Sequence, residues 1–111
     1  EIYTLSLHDA LPICVSYNPH TTAGLTINEG ADPDVQQDML AALARMVPET
    51  AHYRHLEGNS PAHVMASLTG SSVSLIIQGG QIQLGAWQHV FFAEFDGPRK
   101  RSVRWLLLAD R

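Results

Sequence analysis

The sequence contains few charged residues and a single cysteine. Charged residues make up 16% of its 111 residues and the formal net charge is −4, so it lacks the basic surface on which nucleic-acid-binding proteins depend. Its single cysteine, Cys14, excludes an internal disulfide and a four-thiolate zinc site, and we expect this residue in the core. A surface with so few charges suggests that other subunits cover part of it.

Long hydrophobic runs are also absent. Runs such as residues 105–109 and, interrupted by Ser74, residues 73–77, are far shorter than the roughly 20 residues of a membrane helix. No basic segment followed by an apolar one begins the chain, so we expect no signal peptide. These absences favour a cytoplasmic protein with no membrane and no nucleic-acid partner. Neither a P-loop nor a nucleophile elbow is present, which argues against ATP hydrolysis and acyl transfer.

The length suits one domain. Residues 1–13 show neither strand nor helix periodicity and are interrupted by Pro12. They also look like translated sequencing-adaptor sequence. We therefore predict a non-native extension over 1–13 and a single domain over 14–111.

Local patterns predict an α+β domain, with a mostly antiparallel or mixed sheet and two helices packed on it. Asp32 followed by Pro33 marks the start of the first helix, which Pro48 ends, and Ser60-Pro61 marks the start of the second. Gly79-Gly80 predicts a hairpin turn. The predicted core positions of the helices are Val35, Met39, Leu43 and Met46 in the first and Val64 and Leu68 in the second. The predicted strands cover residues 14–17, 23–27, 72–77, 81–84, 90–95 and 102–108.

Three histidines are candidates for chemistry. His20 follows Pro19 in a predicted loop, where an imidazole binds a metal or transfers a proton, or else bonds to its own loop. His63 falls in the first turn of the second helix, where the helix dipole disfavours imidazolium; the ring is then a ligand, a base or simply exposed. If His55 folds back beside His63, the three rings offer three nitrogens to a divalent metal of undetermined identity. Their spacing matches no zinc motif.

The polar stretch 18–32 supplies further candidates. Asp32 is explained as a helix cap, whereas Glu29 is a candidate carboxylate ligand or histidine-orienting group, and Asn28 a candidate ligand-binding residue. Ordinary turn chemistry is the alternative for both. Thr21 and Thr22 are predicted to bind phosphate.

Trp87 and Gln88 lie at a predicted strand junction and are candidates for the wall of a pocket. For a tryptophan in a small domain, packing is the alternative, and it is the interpretation we prefer for Trp105. The cluster Arg99-Lys100-Arg101 is predicted to be a solvated turn.

Three motifs resemble the YjbQ-like family, also called secondary thiamine-phosphate synthase. They read NPHTTAGLTINEGADPDV, YRHLEGNSPAHVMASLTGSS and LGAWQHVFFAEFDGPRKR, in the same order along the chain. Pro61 departs from the family pattern, where an acidic residue is usual, and Ala86 replaces a small hydroxyl residue. The resemblance also implies that an N-terminal strand and helix usually precede the strand at Val15. Residues 1–13 cannot supply both, so we expect the domain over 14–111 to lack them.

The resemblance implies a homotrimer with the histidine loops near a subunit boundary. It also implies weak thiamine-phosphate synthase activity, in which a hydroxymethylpyrimidine diphosphate joins a thiazole phosphate and pyrophosphate leaves. In that interpretation His20, His63 and Glu29 are catalytic. The alternative is a non-enzymatic trimeric module that binds a phosphorylated metabolite or a metal ion.

Overall fold

The structure, a computed structural model, describes residues 12–109. Its α+β class confirms the sequence prediction. The elements in chain order are β1 (Ile13–Tyr17), β2 (Ala23–Glu29), α1 (Pro33–Met46), α2 (Ser60–Thr69), β3 (Ser72–Gln78), β4 (Gln81–Gln83), β5 (Gln88–Glu94) and β6 (Arg104–Leu108).

The strands form two antiparallel sheets. The larger has the order β4-β3-β1-β6, and the smaller pairs β2 with β5. β1 lies inside the larger sheet, where Cys14 is opposite Leu75 of β3 and Leu107 of β6. Cys14 and Leu75 are buried, which confirms the expected core position of the cysteine. The chain passes from one sheet to the other between β1 and β2, so the loop that joins them lies at the junction of the two sheets.

The hairpin between β3 and β4 turns at Gly79 and Gly80. Both have positive φ, +59° and +73°, a backbone conformation that residues other than glycine seldom adopt. Ile77 pairs with Ile82 across this hairpin. The predicted two-residue turn is therefore confirmed.

Helix α1 begins as its sequence predicts but packs loosely. The Asp32 carboxylate accepts the backbone N–H of Asp34 at 2.9 Å, and Pro33 occupies the start of the helix. No residue of α1 is fully buried. Met46, predicted to belong to the core, is 65% exposed. The other predicted core positions, Val35, Met39 and Leu43, are half-buried.

Helix α2 presents a different face to the core from the one predicted. Val64 and Leu68 are exposed, and the buried positions are Pro61, Ala62 and Ala66. Small residues are used because the helix approaches β2 closely. A Cβ on Gly24 of β2 would lie 2.7 Å from the Thr69 side chain, closer than van der Waals contact permits.

The apolar residues of the edge strand β6 are solvent-exposed. Trp105 is 68% exposed, so the preferred packing interpretation is wrong within this chain, and Leu106, Leu107 and Leu108 are also exposed.

Most of the predicted extension, residues 1–13, lies outside the described residues. Pro12 and Ile13 are described: the Pro12 carbonyl accepts from Ile77, and Ile13 belongs to β1. Neither helix of the described range is long and apolar enough to cross a membrane.

Candidate functional site

Asn18 fixes the loop that joins β1 to β2. It is buried, and its Nδ2 donates to the carbonyls of Ala23 at 2.6 Å and His20 at 3.2 Å. Its Oδ1 accepts the backbone N–H of His20 at 2.9 Å. One amide side chain thus satisfies three backbone groups of the loop, which holds His20 and Thr21 in a defined conformation.

A pocket of about 400 Å³ lies between this loop and one face of α2. His20 and Thr21 line it from the loop, and His63 lines it from the helix. The backbone N–H of Asn18 donates to the carbonyl of Ser71 at 2.8 Å, which joins the loop to the segment that follows α2. The remaining lining residues are Tyr17, Asn18, Pro19, Ala23, Ala66, Ser67, Gly70 and Ser71.

The ring of His20 is bonded on one side. Its Nε2 accepts the backbone N–H of Ser102 at 2.9 Å. In a neutral imidazole one nitrogen carries the proton and the other the lone pair. In the neutral ring of His20 the proton is therefore on Nδ1, which is its hydrogen-bond donor.

His55 lies beside His63, as the loop-folding hypothesis predicts. Their ring centroids are 5.5 Å apart with an interplanar angle of 88°, an edge-to-face arrangement. His55 itself is exposed and does not line the pocket. The structure therefore brings two of the three histidines to the cavity, while the third contacts His63 outside the cavity lining.

Thr22 supports the loop rather than lining the pocket. It is buried, and its hydroxyl accepts from the Arg101 guanidinium at 2.9 Å. Arg101 also donates through Nε to Glu94 at 2.7 Å, and its side chain is only 12% exposed. The hydrogen bond from Arg101 lowers the pKa of Glu94 from 4.5 to about 2. The predicted solvated turn is therefore wrong for Arg101.

The other predicted site residues lie at the opposite end of the smaller sheet. Glu29 pairs with Gln88, and Asn28 pairs with His89. Trp87 is 65% exposed. Because β2 runs from Ala23 beside the pocket to Glu29, the two ends are separated by roughly 20 Å. The structure thus divides the predicted site into two groups.

Local bonds explain several of the residues at this far end. The Asn28 Oδ1 accepts the N–H of Glu29 at 2.7 Å, and the Gln88 Oε1 accepts that of Gly85 at 2.9 Å. Gly30 is needed for close packing, since a Cβ there would lie 2.1 Å from the His89 ring. Turn chemistry, the alternative considered for Asn28, is what its side chain performs.

The predicted metal ligands do not fit a metal within one chain. In the range 12–109, no three histidine, cysteine or acidic residues lie close enough together to hold an ion. The Nε2 lone pair of His20 accepts from Ser102, and no carboxylate among the described residues lines the pocket. Metal binding stays a prediction.

Arg101 and Ser102 are the site-supporting residues that local sequence reasoning missed. Their partners Thr22 and His20 are 79 and 82 positions away. Patterns within a window of a few residues carry no information about such contacts. The only signal is the arginine at the end of the third motif, and a cluster of adjacent basic residues ordinarily indicates a solvated turn.

Comparison with known proteins matches most of the chain to one family. Residues 8–110 match the family model described as UPF0047 protein YjbQ-like. A UPF0047 protein of Methanocaldococcus jannaschii is 50% identical over 99 residues, covering 89% of this chain and 72% of that protein. UPF0047 protein YugU of Bacillus subtilis is 52% identical over 87 residues, covering 78% of this chain and 66% of that protein.

Solved structures agree with the fold. An uncharacterized conserved protein of the YjbQ/UPF0047 family from Clostridium acetobutylicum superposes with a TM-score of 0.85 at 51% identity, covering 88% of this chain and 76% of that one. A conserved hypothetical protein from Thermus thermophilus gives a TM-score of 0.85 at 50% identity, covering 89% of this chain and 79% of that one.

These comparisons correct the predicted activity. The relatives are described as UPF0047 proteins, and neither they nor the family model name a thiamine pathway or a transferase. The thiamine-phosphate synthase prediction is therefore wrong. The geometry gives a physical reason: Glu29, predicted to be catalytic with His20 and His63, lies at the other end of β2.

The alignments cover a larger fraction of this chain than of the relatives. The family model covers residues 8–110, while the chain spans 72% and 66% of the two relatives' lengths. The sequence identities of 50% and 52% to these relatives and the TM-scores of 0.85 to the solved structures lead to the same assignment. The chain belongs to the UPF0047 protein YjbQ-like family.

Proposed function

We propose that this protein binds a small phosphorylated molecule in the pocket between His20 and His63. The observation that carries the proposal is the composition of the lining: imidazole and hydroxyl groups meet there, and no acidic side chain of residues 12–109 lines the pocket. Such groups donate hydrogen bonds to oxygens without repelling an anion. The proposal assigns binding and no reaction.

Helix α2 adds favourable electrostatics to these donors. His63 lies in its first turn, near the positive end of the helix dipole, and no acidic residue occupies that turn. Thr21 contributes an exposed hydroxyl from the opposite wall. An anionic group between the two walls would therefore be met from both sides by donors.

We also propose that the chain works as a homotrimer. The support is a large exposed apolar surface, including Trp105, Leu106 and Leu107 of the edge strand β6, on a chain with only 16% charged residues. Patches of this kind mark interaction surfaces. Sedimentation equilibrium should give three times the monomer mass, and a monomer at micromolar concentration would contradict the proposal.

Calorimetric titration with inorganic phosphate and with glycerol 3-phosphate tests the binding site. The variants His63→Ala and His52→Ala remove one imidazole each, but only His63 lines the pocket, whereas His52 is exposed in the preceding loop. We expect His63→Ala to weaken binding about tenfold, as loss of one hydrogen bond to a charged group implies. His52→Ala should bind as the wild type does.

Two results would contradict this assignment. Equal weakening by both variants would show that phosphate associates with general surface histidines. Absence of any heat of binding with the wild type at millimolar phosphate would remove phosphate as the ligand class. Elemental analysis of the same samples tests the metal prediction independently.

A further inference from the structure

We propose that the backbone of Ser102 holds His20 as its Nδ1–H tautomer, so that His20 serves the pocket as a hydrogen-bond donor and selects oxyanions over metal cations. This inference deepens the proposed function and rests on it for the identity of the ligand. It makes Ser102 and Arg101 positioning residues for the pocket.

The tautomer follows from the donor. A backbone N–H can only donate, and the N–H of Ser102 is 2.9 Å from His20 Nε2. That nitrogen must then carry the lone pair, which leaves the proton of the neutral ring on Nδ1. A hydroxyl partner could rotate to serve either tautomer, but a backbone amide cannot.

The position of Ser102 is held by its neighbour. Arg101 donates to the Thr22 hydroxyl at 2.9 Å and to Glu94 at 2.7 Å. Thr22 is two residues from His20 in the loop that forms the pocket wall. The segment carrying Ser102 and the loop carrying His20 are thus joined twice, once by the Arg101 side chain and once by the Ser102 backbone.

The consequence is selectivity. A metal ion at Nε2 would first have to break the hydrogen bond that the backbone N–H of Ser102 donates to that nitrogen. A phosphate oxygen breaks no such bond, because Nδ1–H is already a donor. The same ring is therefore prepared for an anion and hindered as a metal ligand.

The tautomer can be measured on the free, full chain. Long-range ¹H–¹⁵N spectra distinguish a protonated from an unprotonated ring nitrogen, and His20→Gln assigns the signal. We expect the Nδ1–H form for His20. A dominant Nε2–H form would overturn the inference whatever ligand the protein binds.

A pair of amide substitutions tests the role in binding. The amide of His20→Asn reaches the position of Nδ1 and keeps a donor there, whereas that of His20→Gln reaches the position of Nε2 and keeps only the contact with Ser102. With inorganic phosphate as the probe, we expect His20→Gln to bind about tenfold more weakly than wild type, the effect of one charge-assisted hydrogen bond. His20→Asn should remain within about threefold of wild type by the same scale.

The outcomes separate this inference from the proposed function. If His20→Gln and His20→Asn both fold, as checked by circular dichroism, and lose phosphate affinity equally, the donor role of His20 is overturned. A Zn²⁺ affinity present in wild type and lost in His20→Gln would overturn the selectivity. If wild type bound no phosphate, the proposed function would fail, and the ligand-free spectra would still decide the tautomer.

Discussion

Removing the Arg101 side chain should destabilise the protein far more than removing its neighbour Arg99. Arg101 is 12% exposed and bonds to both oxygens of Glu94 and to the Thr22 hydroxyl. Deleting one partner of a buried ion pair costs about 3–5 kcal/mol. Glu94 is 31% exposed, so water replaces part of the lost interaction, and we expect about 2 kcal/mol for Arg101→Ala.

Arg99→Ala is the matched control. Arg99 forms an ion pair with Asp96 at 2.8 Å, but its side chain is 52% exposed. Exposed pairs of this kind contribute about 0–1 kcal/mol. Urea unfolding at pH 7, followed by circular dichroism, gives both free energies, and equal values for the two variants would refute the argument from burial.

The pH dependence provides a second check on the same pair. Arg101 lowers the pKa of Glu94 from 4.5 to about 2, so the folded state binds a proton at Glu94 less readily than the unfolded state does. The stabilisation is therefore complete above pH 4.5 and is lost as the pH falls toward 2. The difference in unfolding free energy between wild type and Glu94→Gln should shrink over that interval. A difference that stayed constant from about pH 7 to about pH 2.5 would refute the electrostatic cause.

Two substitutions test the parts of the fold that position the site. Asn18→Ala should cost about 2–3 kcal/mol of unfolding free energy, because it leaves the buried carbonyl of Ala23 and the partly buried N–H of His20 without partners; a loss below about 0.5 kcal/mol in urea unfolding would contradict this. Gly30→Ala should cost about 1–3 kcal/mol, because its Cβ would meet the His89 ring at 2.1 Å. The double variant with His89→Ala should recover most of that loss, and no recovery would locate the strain elsewhere.

The fold is predictable from sequence wherever its signals are local. Asp32 and Pro33 start α1, and Gly79-Gly80 turns the β3–β4 hairpin, because caps and tight turns need particular residues at particular positions. The rotation of α2 is not predictable in this way. Its buried face is chosen by the close approach of Gly24 to Thr69, a contact between elements that hydrophobic periodicity does not encode.

The site shows the same division. His20 and His63 are recognisable as candidates because imidazoles in a loop and at a helix start are chemically conspicuous, and both line one cavity. The burial of Arg101 is not recognisable, because three adjacent basic residues usually face water. It depends on Glu94 and Thr22, and only the fold brings these together.

The separation of the two polar groups limits what one chain can do. The cavity beside His20 has a volume of about 400 Å³, whereas Glu29 and Trp87 lie roughly 20 Å away at the other end of β2. Because β2 is paired with β5 along its whole length, the strand cannot fold back to close that distance. A ligand held in the cavity therefore does not reach Trp87 of the same chain. Any shared role for the two groups requires a second copy to bring its own Trp87 to the pocket, which makes the oligomeric state the property that decides whether they form one site or two.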